Sequence, residues 1–235
     1  MHMAAGSSTA AVLRESVEPG PRRRAVLELT VGYLLILMVI WTPRPWQARI
    51  YFVAAGFIVF ATWRSWRDLH AMGWRSRNLW RSAWIMGAAT LVSAIAIVCA
   101  ERMGTLHAPP TPTLFVRRFV GYIIFACVQQ FLLQDYFLLR LLDAGLRPRA
   151  AAIAAAILFA LAHLPSPILT ILTFIWGLIA AAWFLRYRSL YALAVSHIIL
   201  GVTLAMCIPG PTIRNMRVGL GYLTYRPPHT HHLSH

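Results

Sequence analysis

Apolar residues recur along the chain in unbroken runs, not at helical or strand spacing, and polar residues gather between the runs. The pattern predicts seven spans at about 25–41, 46–63, 80–100, 114–139, 149–164, 167–186 and 189–207. Runs of this length match the hydrocarbon thickness of a bilayer, which takes about 20 residues of helix. Arg44-Pro45-Trp46 is expected to turn the chain between the first two runs, and Pro109, Pro110 and Pro112 to break it before the fourth. Trp41, Trp46, Trp63, Trp66, Trp80, Trp84 and Trp183 fall near run ends, as an interfacial aromatic belt requires.

Composition strengthens this picture. Of 235 residues, 59% are hydrophobic and 12% charged, with a mean hydropathy of +0.62. A soluble domain has about 25% charged residues. The fold class expected is therefore an all-α polytopic transmembrane bundle. Its boundaries are expected at 1–21 for a disordered N-terminal tail, 22–113 for N-terminal membrane helices, 114–207 for a core of four membrane helices, and 208–235 for a C-terminal tail. No internal repeat is visible, which removes support for an inverted-repeat transporter.

The net charge of +15 comes from 22 arginines and no lysine. In a soluble protein that balance would suggest nucleic acid. Here the arginines sit at run ends, where they meet anionic headgroups, so membrane lipids and not nucleic acid are the expected partners. With the N-terminus inside, 14 arginines lie in inner segments and 8 in outer ones. That bias predicts a cytoplasmic N-terminus and an outer C-terminus, in a bacterial inner membrane. No cleavable signal is expected after Arg22-Arg23-Arg24. Cys99, Cys127 and Cys207 have no metal-ligand spacing and are expected to be buried apolar thiols. His229, His231, His232 and His235 are expected in a frayed tail.

Polar residues inside spans locate the chemistry, because a central charge costs roughly 2.5–3.5 kcal/mol on insertion scales. The first three spans hold almost none; Glu28 lies near an end and is expected at the interface. The fourth span reads Gln129-Gln130-Phe-Leu-Leu-Gln134-Asp135. Gln130 and Gln134 share a helical face, with Gln129 and Asp135 flanking it. Four polar side chains in seven residues must face a bundle interior or a wet cavity. An interhelical hydrogen-bond cluster and a ligand site both satisfy that demand. Asp135 also has Arg140 and Arg147 within reach as pairing partners. His163 closes an apolar run and His197 lies inside the seventh span, so a site convergent with the glutamines is expected.

Phe159-Ala-Leu-Ala-His163, followed by Leu164-Pro165, then Trp176-Gly177-Leu178, Arg188-Ser189-Leu190-Tyr191 and His197, resemble the motifs of the CPBP family. This is the family of CAAX prenyl proteases and bacteriocin-processing membrane proteins, Rce1-like. The likeness covers about 115–205. It implies an intramembrane endopeptidase acting on a prenylated or membrane-associated peptide. The family's first motif is Glu-Glu-x-x-x-Arg-Gly. Gln129 and Gln130 stand at the glutamates, Gln134 at the arginine and Asp135 at the glycine. Gly201 stands where the third motif has Asn or Asp after its histidine.

On the resemblance, His163 and His197 polarise the attacked carbonyl, and Gln129 or Gln130 positions water. Gln134, Asp135, Phe159 and Trp176 then lie on the ligand side. No metal is expected, and the cofactor is left open. Glutamine is no base at neutral pH, and losing a general base costs 10²–10⁴ in rate. A non-hydrolytic relative that binds a lipid, isoprenoid or peptide, or scaffolds a membrane partner, is therefore the alternative. An isoprenoid transferase or cyclase, with Asp135 as proton donor, is weaker because no Asp-rich diphosphate motif is present. Asp135 lies about 140° round an α-helix from Gln130; a π-bulge is what would bring it round.

Overall fold

The computed structural model describes residues 19–74 and 79–227. Residues 1–18 of the expected N-terminal tail and the four C-terminal histidines lie outside the described residues, whereas 208–227 of the expected C-terminal tail are described. The described residues form helices and no strand. They are α1 (Pro19–Trp41), α2 (Arg44–Arg64), α3 (Leu79–Ser82), α4 (Trp84–Arg102), α5 (Pro112–Phe131), a π-helical segment Leu132–Leu138, α6 (Leu139–Asp143), α7 (Pro148–Leu161), α8 (Pro167–Tyr187), α9 (Leu190–Cys207) and α10 (Gly219–Leu223).

Proline opens many of these helices. Pro45, Pro112, Pro148 and Pro167 sit in the first turns of α2, α5, α7 and α8, where a missing N–H costs nothing. Thr111 caps α5, its hydroxyl accepting from the Leu114 N–H at 3.3 Å. Residues 44–46 therefore start a helix, and the turn expected there falls at Thr42–Pro43.

Five helical stretches are long and apolar enough to cross a bilayer: Gly20–Trp41, Leu79–Arg102, Pro112–Asp143, Pro167–Tyr187 and Leu190–Cys207. The seven expected spans all have a helix in place. However, α2 carries Gln47 and Arg49 in its early turns and α7 has only 14 residues, so neither is among the five. At 1.5 Å per residue α7 is about 21 Å long, short of the ~30 Å hydrocarbon core. The protein is an integral membrane protein built as a helical bundle.

Its surface agrees with lipid as solvent. Phe52, Val59, Leu91, Ile124 and Ile171 are exposed, as are Trp41, Trp46, Trp63, Trp66, Trp80 and Trp84 near helix ends. Trp183 is the exception to the expected belt: it is buried and stacks edge-on with Trp84. The free thiols also differ from expectation. Cys99 and Cys127 point outward and Cys207 is half-buried, since each lies on a face that a neighbouring helix does not cover.

The tightest helix pair is α7 against α8. Gly177 lets the two backbones approach, and a Cβ there would lie 3.1 Å from the Ala156 Cα. Small residues at such crossings are what dispersion packing in lipid demands. After α9 the chain folds back, and the Gly219 N–H donates to the Leu164 carbonyl at 2.8 Å, placing α10 beside α1.

Candidate functional site

The fourth hydrophobic run is one continuous 32-residue helix, Pro112–Asp143, with the π segment inside it. Gln129 and Gln130 end its α-helical part, and Gln134 and Asp135 ride on the wide turns. All four are buried, Gln130 and Gln134 completely. Packing of α5 on α9, and of the π segment on α7 and α8, brings them against both histidines.

The Gln129 Nε2 lies 3.3 Å from the His163 Nε2, and the Gln130 Nε2 lies 2.8 Å from the His197 Nδ1. The other nitrogen of His163, Nδ1, is 2.7 Å from the Phe159 carbonyl. That carbonyl can only accept, so His163 carries its proton on Nδ1 and accepts from Gln129 on Nε2. His197 accepts on Nδ1 from the Gln130 amide and therefore carries its proton on Nε2. Gln134 donates in turn to the Gln130 Oε1 at 3.4 Å. The result is a directed line, Gln134 to Gln130 to His197, with Gln129 to His163 beside it.

Aromatic rings pack around the histidines. Phe159 stands edge-on to His163 at 4.9 Å and to His197 at 6.1 Å. Trp176 lies 5.9 Å from His197. Two buried polar atoms at this place have no hydrogen-bond partner among the described residues: the Trp176 Nε1 donor and the Gln134 Oε1 acceptor.

Asp135 goes elsewhere. The π segment does exist, but it turns this carboxylate toward the end of α2. There it lines a cavity of about 10 Å³ with Thr62, Ser65, Arg67, Met72, Leu139, Arg140 and Asp143. That is room for about one water. Neither carboxylate oxygen has a hydrogen-bond partner among the described residues; Trp74 and Arg188 are polar neighbours. The Asp135–Arg140 pairing open from the sequence takes a different form, because Arg140 donates to the backbone. Its guanidinium reaches the carbonyls of Asp135 at 3.3 Å and Tyr136 at 3.5 Å, and the Ser65 hydroxyl at 3.1 Å. A π turn leaves carbonyls without their α-helical partner, and Arg140 supplies donors for two of them.

The sequence offered Arg140 as a side-chain partner for Asp135 but gave no sign of its contacts with the backbone of the π segment. Arg140 also pairs with Glu28 at 3.4 Å and lies 4.0 Å over the Tyr136 ring. Glu28 is thus half-buried in an ion cluster with Arg24 and Arg140. Arg188, just past α8, donates to the Ala71 carbonyl at 3.0 Å. Burial and the nearby Arg67 push its pKa below the ordinary arginine range, and Asp135 opposes that shift.

Among the described residues no three His, Cys, Asp or Glu side chains converge as a metal site. At the histidines, both nitrogens of His163 and the Nδ1 of His197 are already engaged. The remaining groups are neutral amides, so this donor set does not fit a divalent ion.

Residues 111–203 match the family model described as type II CAAX prenyl endopeptidase, Rce1-like. The matched stretch runs from the cap of α5 into α9 and contains Gln129, Gln130, Gln134, His163, Trp176 and His197. This region is similar to that family, as the motifs around His163 and His197 indicated. No curated protein and no solved structure matches the chain.

Proposed function

We propose that the glutamine–histidine site binds a membrane-associated peptide, prenylated or lipid-linked, and holds a peptide group beside His197 without an acid to cut it efficiently. The observation that carries this reading is the pair of unpartnered buried atoms. The Trp176 Nε1 is a donor and the Gln134 Oε1 an acceptor. A peptide group offers one carbonyl and one N–H, which is the complement. The neutrality of the site supports the same reading. Glutamine at 129 and 130 avoids two like charges in low dielectric, and at 134 it removes the arginine that would balance them.

Hydrolysis is the second reading. It is favoured by His197, which accepts from Gln130 on Nδ1 and so keeps its Nε2–H free to polarise a carbonyl; the N–H of His163 is spent on the Phe159 carbonyl. One assay separates the two: purified protein in lipid nanodiscs with a fluorescent farnesylated peptide, read for binding and for cleavage. Saturable binding is expected, weakened at least tenfold by His197→Ala, with no cleavage above background. Cleavage by the wild type that His163→Ala abolishes establishes hydrolysis instead. No saturable binding overturns the peptide reading.

A further inference from the structure

α4 packs against α9 with the C-terminal ends of the two helices together. Two backbone bonds fix that end. The Thr105 N–H donates to the Ala100 carbonyl at 2.8 Å, and the His107 N–H donates to the Met206 carbonyl at 2.8 Å. Only Leu106 separates the two donors, and Ala100 and Met206 are the chain neighbours of Cys99 and Cys207. The two thiols fall within electrostatic reach of each other. Cys99 is exposed and Cys207 half-buried. The exposed charges of Glu101 and Arg102 close α4 just beyond Cys99, which sets this end at the headgroup level, where water reaches.

Cys207 also continues the row of Ile199 and Thr203 on α9, at steps of four residues. Ile199 and Thr203 line an apolar groove of about 420 Å³ between α4, α5 and α9. We infer that Cys99 and Cys207 form a reversible disulfide that clamps the end of α4 to the end of α9 beside this groove. On the orientation expected from the arginine bias, both thiols face the outer side, where disulfides persist.

Exposure sets the order of the chemistry. The Cys99 thiolate attacks one sulfur of a small disulfide, such as oxidised glutathione, and displaces one glutathione thiolate. The Cys207 thiolate then attacks the Cys99 sulfur and displaces the second. The two cysteine thiols are oxidised to one disulfide, the external disulfide is reduced to two thiols, and these take up the two protons released. Reduced glutathione in excess runs the same steps backwards. The closed bond joins residues far apart in the chain, so it restricts the unfolded state strongly.

The test uses the full chain in nanodiscs, equilibrated with oxidised or reduced glutathione, quenched in acid, denatured in SDS and counted for free thiols with a maleimide. Three thiols are expected after reduction and one, Cys127, after oxidation, with the protein still running as a single chain on a non-reducing gel. Cys99→Ser and Cys207→Ser are each expected to hold one glutathione by mass, because the partner thiol that would displace it is missing. Oxidation is expected to raise the melting temperature of the wild type by roughly 5–10 °C and to leave that of either variant unchanged. Three free thiols after oxidation, a covalent dimer, or glutathione retained on wild-type Cys99 or Cys207 overturns the pairing. A disulfide formed with no rise in melting temperature overturns the clamp.

Discussion

Gln130 does more than replace a carboxylate. It is completely buried, donates to His197 and accepts from Gln134. A carboxylate at 130 keeps the acceptor and loses the donor, so the His197 Nδ1 must take the proton or lose its partner. Burying the second charge at 129 beside it adds repulsion. The Gln129→Glu/Gln130→Glu protein is therefore expected to lose about 2 kcal/mol, a fall of about 4–8 °C in melting temperature in detergent. Adding Gln134→Arg supplies the counter-charge and is expected to restore most of it. Equal melting temperatures for all three proteins would show that charge neutralisation does not explain the three glutamines. The identities of these residues, and of both histidines, were readable in the sequence because polar groups among apolar runs stand out. Their tautomers were not, since these depend on the Phe159 carbonyl and on which amide reaches which ring nitrogen.

At the scale of elements, the π segment Leu132–Leu138 decides where the acid and the amides go. In an α-helix Gln130 and Asp135 would diverge by angle alone. The wider turns reorient both ends of the segment, and Arg140 holds the loosened carbonyls. Hydrophobic periodicity cannot reveal such a segment, because one inserted residue in a continuous apolar run leaves the run intact. The pairing of Glu28 is hidden for a related reason: its partner Arg140 is more than a hundred residues away, and no local pattern joins α1 to the end of the long helix. Removing a member of a buried ion cluster strands the others, at about 3–5 kcal/mol. Arg140→Met is expected to cost that much in reversible unfolding from detergent. Arg24→Ala, whose guanidinium is largely exposed, is expected to cost much less. A neutral outcome for Arg140→Met would mean that neither the π carbonyls nor Glu28 depends on it.

For the whole molecule, the run pattern gave helix positions to within a few residues, because length and apolarity are what the bilayer selects. It did not separate full spans from α7, whose 14 residues are covered by α8 and the π segment. The arginine bias is the basis for proposing a cytoplasmic N-terminus. In a chain cleared of its three cysteines, Ser234→Cys is expected to react with a membrane-impermeant maleimide in intact cells, and Ser8→Cys only after lysis. The reverse labelling would invert the topology. On the expected orientation the long helix sets a depth scale. It enters from the outer side at Pro112, and Gln129 follows 17 residues later, about 26 Å along its axis. Tilt shortens that path along the bilayer normal, yet the amides still come to rest in the inner leaflet. If the site takes the lipid-anchored peptide proposed above, a ligand whose hydrocarbon tail lies among cytoplasmic-side lipids presents its first peptide groups at the level of His197 without leaving its leaflet, and it arrives by lateral diffusion in two dimensions and not from water.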